Sequence, residues 1–199
     1  MSNNGRESGA PGDPRLRILG SALEVFAARG FRAGSLNDIA TAAGLTRAGL
    51  LHHYPSKQAV LLALLEQRDA ELRRTTRTSG LTLLELLKEL EHLTGLILAN
   101  RDLVQLAHIL TAEASGEAHP AREWVAQRYV ALRAELADAV RLSIETGELP
   151  SVLNPDDFAA LLLGAIEGAE NQWLVSPEEV DPAAVMRQLR ALCSAVRSG

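Results

Sequence analysis

The sequence predicts an all-α chain, a three-helix N-terminal head joined to a helical-bundle body, and three observations carry that expectation. Apolar residues recur every three or four positions along most of the length, the spacing of one helix face. Alanine and leucine supply the burial, aromatics are only 4% of residues, and strand-forming runs of β-branched residues are missing. With 199 residues, 47% of them hydrophobic, the chain can bury a substantial core as one large domain or two small ones.

Residues 1–12, SNNGRESGAPG after the initial Met, are expected to form a disordered tail because they are rich in Gly, Ser, Asn and Pro. A first helix is predicted from about Asp13 to Arg29, with Leu19, Ala22, Leu23 and Phe26 on one stripe. Ser35 stands three residues before Asp38, a capping-box spacing, so a second helix should begin at Leu36. Ile39, Ala40 and Ala43 give it a closely packing face, and Gly44 ends it. Thr46 can cap a third helix in which Leu50 and Tyr54 face the core, and Pro55-Ser56 closes it. These helices make a head over residues 13–57, and residues 58–199 make the body.

The body opens with a long helix from Lys57 carrying Val60, Leu61, Leu64 and Leu65, which breaks at Ser79-Gly80. Further helices are expected from about Thr82 to Leu98, Leu103 to Ser115, Ala121 to Thr146, Asn154 to Val175 and Pro182 to Val196. The helix after Asn154 is the least polar, with Phe158, Leu161, Leu162, Leu163, Ala165 and Ile166 leaving almost no hydrophilic face. It must therefore be buried on most sides. Pairing it with the final helix across a twofold axis gives a four-helix bundle between two chains, with Leu161, Gly164, Ala165, Gly168, Trp173, Leu189 and Leu192 at the interface. Packing of the two glycines against a neighbour in the same chain is the alternative.

The outward side of the third helix bears Arg47, Ala48, Gly49, His52 and His53. Glycine inside a helix costs about 1 kcal/mol relative to alanine, so Gly49 implies a close approach to something, and DNA is the natural partner. Lys57, at the start of the next helix, is a candidate for a backbone phosphate. Arginine to guanine is the commonest specific base contact, which favours Arg47 reading a base over lying along the core edge. The net charge of −5 hides a division. Residues 1–57 hold seven Arg or Lys against four Asp or Glu, a balance of +3, and residues 58–199 hold thirteen against twenty-one, a balance of −8. A small basic head on an acidic body suits local phosphate binding.

Several classes of protein are excluded. Cys193 alone permits no intrachain disulfide or metal cluster and reads as an apolar filler. The longest uncharged apolar run, Phe158 to Ile166, is too short to span a membrane, and the N-terminus has no signal core, so a cytoplasmic location is expected. A phosphate loop, an HExxH, a nucleophile elbow and di-iron spacing are all missing, so neither an enzyme nor a cofactor is expected.

The segment resembles the helix-turn-helix of the TetR family of bacterial transcriptional regulators. The resemblance rests on Phe26, Gly30-Phe31, the I-A-x-x-A-G run from Ile39 to Gly44, Leu50, His53, Tyr54 and Ser56-Lys57. It implies that Arg47, Ala48 and Gly49 approach base edges while Ser35, Thr46, His53 and Lys57 hold phosphates, with Asn37 also able to reach the groove. Two departures stand out. Ala48 replaces a frequent glycine, and Leu51 replaces a tyrosine that contacts phosphate, a role His52 partly takes over. A helical protein-interaction module with weakened DNA binding is the alternative reading.

The body is similar to the regulatory domain of betaine-type repressors through Ala112-Glu113-Ala114, Trp124, Arg128-Tyr129, Leu132-Arg133, Glu167-Gly168 and Gln172-Trp173-Leu174. The expectation is a homodimeric repressor on an inverted-repeat operator, released by a small-molecule effector. His108, Glu113, Trp124, Arg128, Glu167 and Asn171 are the candidates to line its site, polar groups of the kind that orient a ligand between bundle helices. Glu113 and Glu167 near Trp124 would suit a cationic ligand, whereas Arg128 paired with Glu167 would leave an apolar cavity.

Overall fold

The computed structural model describes residues 13–75, 79–116 and 118–196, so the tail expected over residues 1–12 lies outside it. Its regular structure is helical throughout: α1 (Pro14–Ala33), α2 (Leu36–Ala42), α3 (Arg47–His53), α4 (Lys57–Thr75), α5 (Leu83–Leu98), α6 (Arg101–Ala114), α7 (Arg122–Glu145), α8 (Pro155–Val175) and α9 (Pro182–Val196). The all-α expectation is met.

The chain divides into two compact units, and the division falls within α4, between Glu71 and Leu72. The sequence reading placed it at Lys57. The later division follows from α4 itself, whose first turns carry the buried Val60, Leu61, Leu64 and Leu65 inside the first unit.

In the first unit, α1 begins where Asp13 accepts a hydrogen bond from the Arg15 amide at 2.9 Å, with Pro14 in the first turn. Ile18, Leu19, Ala22, Phe26 and Ala27 are its buried stripe. Beyond the expected end at Arg29 the backbone kinks at Gly30, with φ of 73°, and adds a last turn to Ala33. A side chain at Gly34 would come within 3.1 Å of the Gly30 carbonyl oxygen and the Phe26 ring, so only glycine lets α1 pass so closely into α2.

In the second unit α7 packs on α8, α5 packs on α9, and α5 also meets α7. Their core joins Leu83, Leu86 and Leu87 of α5 to Leu136, Ala137, Ala139 and Val140 of α7, Ala159, Leu162 and Leu163 of α8, and Met186 and Cys193 of α9. Asn100 caps α6 and Asn154 caps α8 through the amides of Asp156 and Asp157, both as expected from side chains that stabilise helix starts. Gly147, with φ of 76°, ends α7. Burial pushes the Cys193 thiol up from its ordinary value, as suits a core filler. No described helix is long and apolar enough to cross a membrane.

One expectation fails within a single chain. α8 was to be buried on most sides, yet Leu161 is 65% exposed and Gly164 is also exposed. Its core side is spent on α7 and α9, and the opposite side has no covering in this chain.

Candidate nucleic-acid interface

The frame that presents α3 is built from short-range hydrogen bonds. The Ser35 amide donates to Asp38 Oδ2 at 3.1 Å, and the Asp38 amide donates to Ser35 Oγ at 3.2 Å. The Ser35 hydroxyl also donates to Asp38 Oδ2 at 2.7 Å, so its hydrogen is already engaged within the cap. Arg29 Nη1 lies 3.3 Å from Asp38 Oδ1. The bonds from Ser35, and then the Arg29 guanidinium, hold the Asp38 carboxyl below its ordinary value. Gly44, with φ of 67°, makes the turn, and Thr46 Oγ1 accepts from the Gly49 amide at 3.0 Å. An oxygen that accepts in this way leaves the Thr46 hydroxyl hydrogen able to donate outward.

Leu50 is fully buried and Tyr54 nearly so, with the Arg15 guanidinium 5.1 Å from the Tyr54 ring. These anchors turn Arg47, Ala48, Leu51 and His52 to solvent, while Gly49 and His53 are half-buried on the flank. Asn37 on α2 is exposed as well. A Cβ at Gly49 would lie 3.3 Å from Thr46 Oγ1, a tight contact that gives this glycine a reason inside the protein as well.

Lys57 is bonded within the first unit. Its ammonium donates to the carbonyl oxygens of Phe31 at 2.7 Å, Gly34 at 2.9 Å and Arg32 at 3.3 Å, and sits 4.4 Å from the centre of the Phe31 ring. An ammonium has three N–H donors, and three carbonyls take them. Helix C-terminal carbonyls lack intrahelical partners and carry the negative end of the helix dipole, so a cation there is doubly favoured. Lys57 thus ties the end of α1 to the start of α4. The first turn of α4 is capped by Ser56, whose Oγ accepts from the Ala59 amide at 3.1 Å.

In the second unit the expected ligand residues fall into separate pairs. His108 Nε2 lies 3.0 Å from Glu170 Oε2, and His119 Nε2 lies 3.3 Å from Glu113 Oε2. The Tyr129 hydroxyl donates to Glu167 Oε2 at 2.8 Å and is also hydrogen-bonded to Thr111. Burial, then Glu167, push the Tyr129 phenol up against the lowering effect of Thr111. The alternative pairing of Glu167 with Arg128 is replaced by this one, and Arg128 instead lies 5.9 Å from the centre of the Trp124 ring. Asn171 is exposed.

Thr111 and Glu170 were not singled out from the sequence, and Tyr129 was named only as part of the resemblance, not as a site residue. A signal existed: His108 and Thr111, like Glu167 and Glu170, stand three apart on one helix face. Together they form a polar ladder among α6, α7 and α8. Two clefts, of about 460 and 400 Å³, open elsewhere, one beside Leu84, Lys88, Arg187 and Arg190 and one beside Gly80, Leu81, Glu135 and Asp138. Neither is lined by any of the six expected residues. Among the described residues no group of three or more His, Cys, Asp or Glu could hold a metal ion.

The expected contact residues of α8 and α9 differ in exposure, and Leu189 packs against the core of its own unit. Leu161 and Leu192 are 65% and 64% exposed, Gly164 is exposed, and Ala165, Gly168, Trp173 and Leu189 are half-buried. Trp173 carries the Arg101 guanidinium 5.2 Å from its ring centre. Among the described residues, nothing beyond the helix's own neighbouring backbone lies within 4 Å of a Cβ placed on Gly164 or Gly168, so these glycines serve no close crossing there.

Comparison with known proteins assigns both parts. Residues 18–64 match the family model described as bacterial regulatory proteins, tetR family, and residues 118–197 match the C-terminal model of the BetI-type transcriptional repressors. The two matches together cover more than half of the chain. The chain is 25% identical over 200 residues to the HTH-type transcriptional regulator AcrR of Shigella flexneri, covering 94% of this chain and 93% of that protein. It is 36% identical over 67 residues to the regulator RutR of Escherichia coli, covering 34% of this chain and 32% of RutR. Among solved structures, a TetR-family regulator from Rhodococcus sp. aligns at 26% identity and TM-score 0.67, covering 92% of this chain and 98% of that one. The transcriptional regulator FadR of Bacillus subtilis, in complex with stearoyl-CoA, aligns at 18% identity and TM-score 0.72, covering 91% and 98%, a likeness of fold.

Proposed function

Because the chain belongs to the TetR family of bacterial transcriptional regulators, we propose that it acts as a homodimeric repressor that reads an inverted-repeat operator in the cytoplasm and releases it on binding a small-molecule effector. The observation that carries this reading is the outward face of α3, where Arg47, Ala48, Leu51 and His52 are exposed on a helix held by Leu50 and Tyr54 from behind. Arg47 reads a base edge, Asn37 reaches the groove, and Thr46 and His53 hold phosphates on either side. This assigns DNA binding to the first unit, and effector binding and dimerisation to the second.

Dimerisation is supported by the uncovered side of α8 and α9, whose exposed Leu161 and Leu192 flank glycines with open space above them. A second copy of α8 and α9 fills that space, because an isologous interface matches a patch with itself. Effector binding is proposed among α6, α7 and α8, beside Trp124. A ligand entering there competes for the carboxylates of Glu167, which the Tyr129 hydroxyl now satisfies, and of Glu113, which has His119 Nε2 3.3 Å away. That requirement favours a ligand with hydrogen-bond donors or positive charge, which can replace those partners. The effector shifts the population between two conformations, and only its differential affinity for them can drive release.

Native mass spectrometry of the full chain mixed with a duplex from upstream of its own gene tests the proposal. Two chains on one duplex are expected. A single chain per duplex, or no complex, would overturn it.

A further inference from the structure

Two apolar side chains, Ala48 and Leu51, are exposed on the DNA-facing helix beside Arg47 and His52. At about 100° per residue, Ala48 and Leu51 fall near the middle of the outward face of α3, with Arg47 and His52 at its two edges. Leu50 and Tyr54, which anchor the helix, fall beyond Arg47, so Leu51 lies about 60° from Tyr54 and Ala48 about 120° from it. Leu51 is 37% exposed, and in the free protein that surface faces water at a cost in free energy. Charged or polar residues at the edges and apolar residues at the centre form a surface that complements a groove with phosphates along its rims and base edges on its floor. The one apolar group that base pairs display in the major groove is the C5-methyl of thymine.

We propose that Leu51, with Ala48 beside it, reads a thymine methyl group in each operator half-site. The inference rests on the DNA-binding reading of α3 and deepens it. The small side chain of Ala48 allows the helix to approach closely enough for Leu51 to make the contact. Arg47 and Leu51 stand four residues apart on the helix, about 6 Å along its axis, which is close to two base-pair steps. The thymine therefore lies within about two base pairs of the position Arg47 reads.

The test uses the full chain and a duplex selected by it from a random-sequence pool. Each thymine of that duplex is replaced in turn by deoxyuridine, which removes only the methyl group. One thymine in each half-site is expected to matter, with affinity falling about fourfold for one replacement and about fifteenfold for the symmetric pair. Leu51→Ala should bind both duplexes equally and lose its preference for thymine at that position, while Leu51→Met should keep both. The proposal is overturned if no thymine methyl affects binding, or if the same loss persists in Leu51→Ala. Enrichment of a duplex without any methyl effect would leave DNA binding intact and remove this contact alone. Failure to enrich any sequence would remove the underlying reading as well.

Discussion

The ammonium of Lys57 has three hydrogens and three carbonyl oxygens around it, from Phe31, Arg32 and Gly34. Hydrogen bonds from a charged donor contribute about 1.5 to 3 kcal/mol each at most, and here they share one donor group, so Lys57→Met should destabilise the first unit by about 2 kcal/mol. Amide exchange in α1 to α3 reads that loss, and the salt dependence of DNA binding should stay unchanged. A salt slope lower by about one, with stability unaffected, would restore the phosphate role. Arg47 behaves oppositely. Arg47→Ala leaves the fold alone, costs about 1 to 3 kcal/mol of operator binding and relaxes preference at one base position. Competition titrations against duplexes altered one position at a time would show it. A uniform loss across sequences would assign Arg47 to a phosphate instead.

Asp38 gives the pH dependence of the same region. Its folded carboxyl is held below its ordinary value, chiefly by Ser35, so the stability it contributes is present above the unfolded carboxyl's pKa. That contribution is lost as pH falls through the lower, folded value. Thermal melts from about pH 6 to about pH 3 should therefore show a smaller acid-side fall for Asp38→Asn than for the parent. Equal falls would mean that the Ser35 cap does not depend on the charge.

Among the elements, α2 and α3 were legible because each rule that sets them acts within about four residues. Ser35 and Asp38 cap one, Gly44 ends it, and Thr46 starts the next. The start of α8 at Asn154 was legible for the same reason, whereas α6 starts at Arg101, capped by Asn100, two residues before the Leu103 expected. Features made by long-range contact were not. Lys57 meets Phe31 across 26 residues and Tyr129 meets Glu167 across 38, distances at which no periodicity tells one partner from another. The kink at Gly30 fell between these cases, since the glycine was visible but the extra turn beyond it depends on Phe31 packing 5.6 Å from the Phe26 ring.

For α8 the uncovered face makes the prediction. Gly164→Leu or Gly168→Leu meets open space within one chain, so neither should unfold the protein. Forcing two backbones apart should dissociate the dimer, as overpacking of a close crossing does. Sedimentation that finds these folded variants wholly dimeric would place the interface elsewhere.

At the scale of the molecule, charge and function separate along the chain. The balance of +3 over residues 1–57 and −8 over residues 58–199 confines attraction for phosphates to the part that bears α3. Repulsion by the remainder limits indiscriminate association with DNA, so discrimination between sequences has to come from the face of α3. The sequence reading recovered the all-α architecture but set the boundary of the head at Lys57, whereas the first compact unit runs to Glu71 and includes the buried Val60, Leu61, Leu64 and Leu65 of α4.

The central claim, that α3 reads DNA sequence, is tested most directly by fluorescence anisotropy. The full chain is titrated onto the duplex from upstream of its own gene and onto a scrambled duplex of equal length and composition, at one fixed salt concentration. The account predicts a preference of about 10³ or more for the upstream duplex, most of it lost in Arg47→Ala. Equal affinity for the two duplexes, or a preference that Arg47→Ala leaves unchanged, would contradict it.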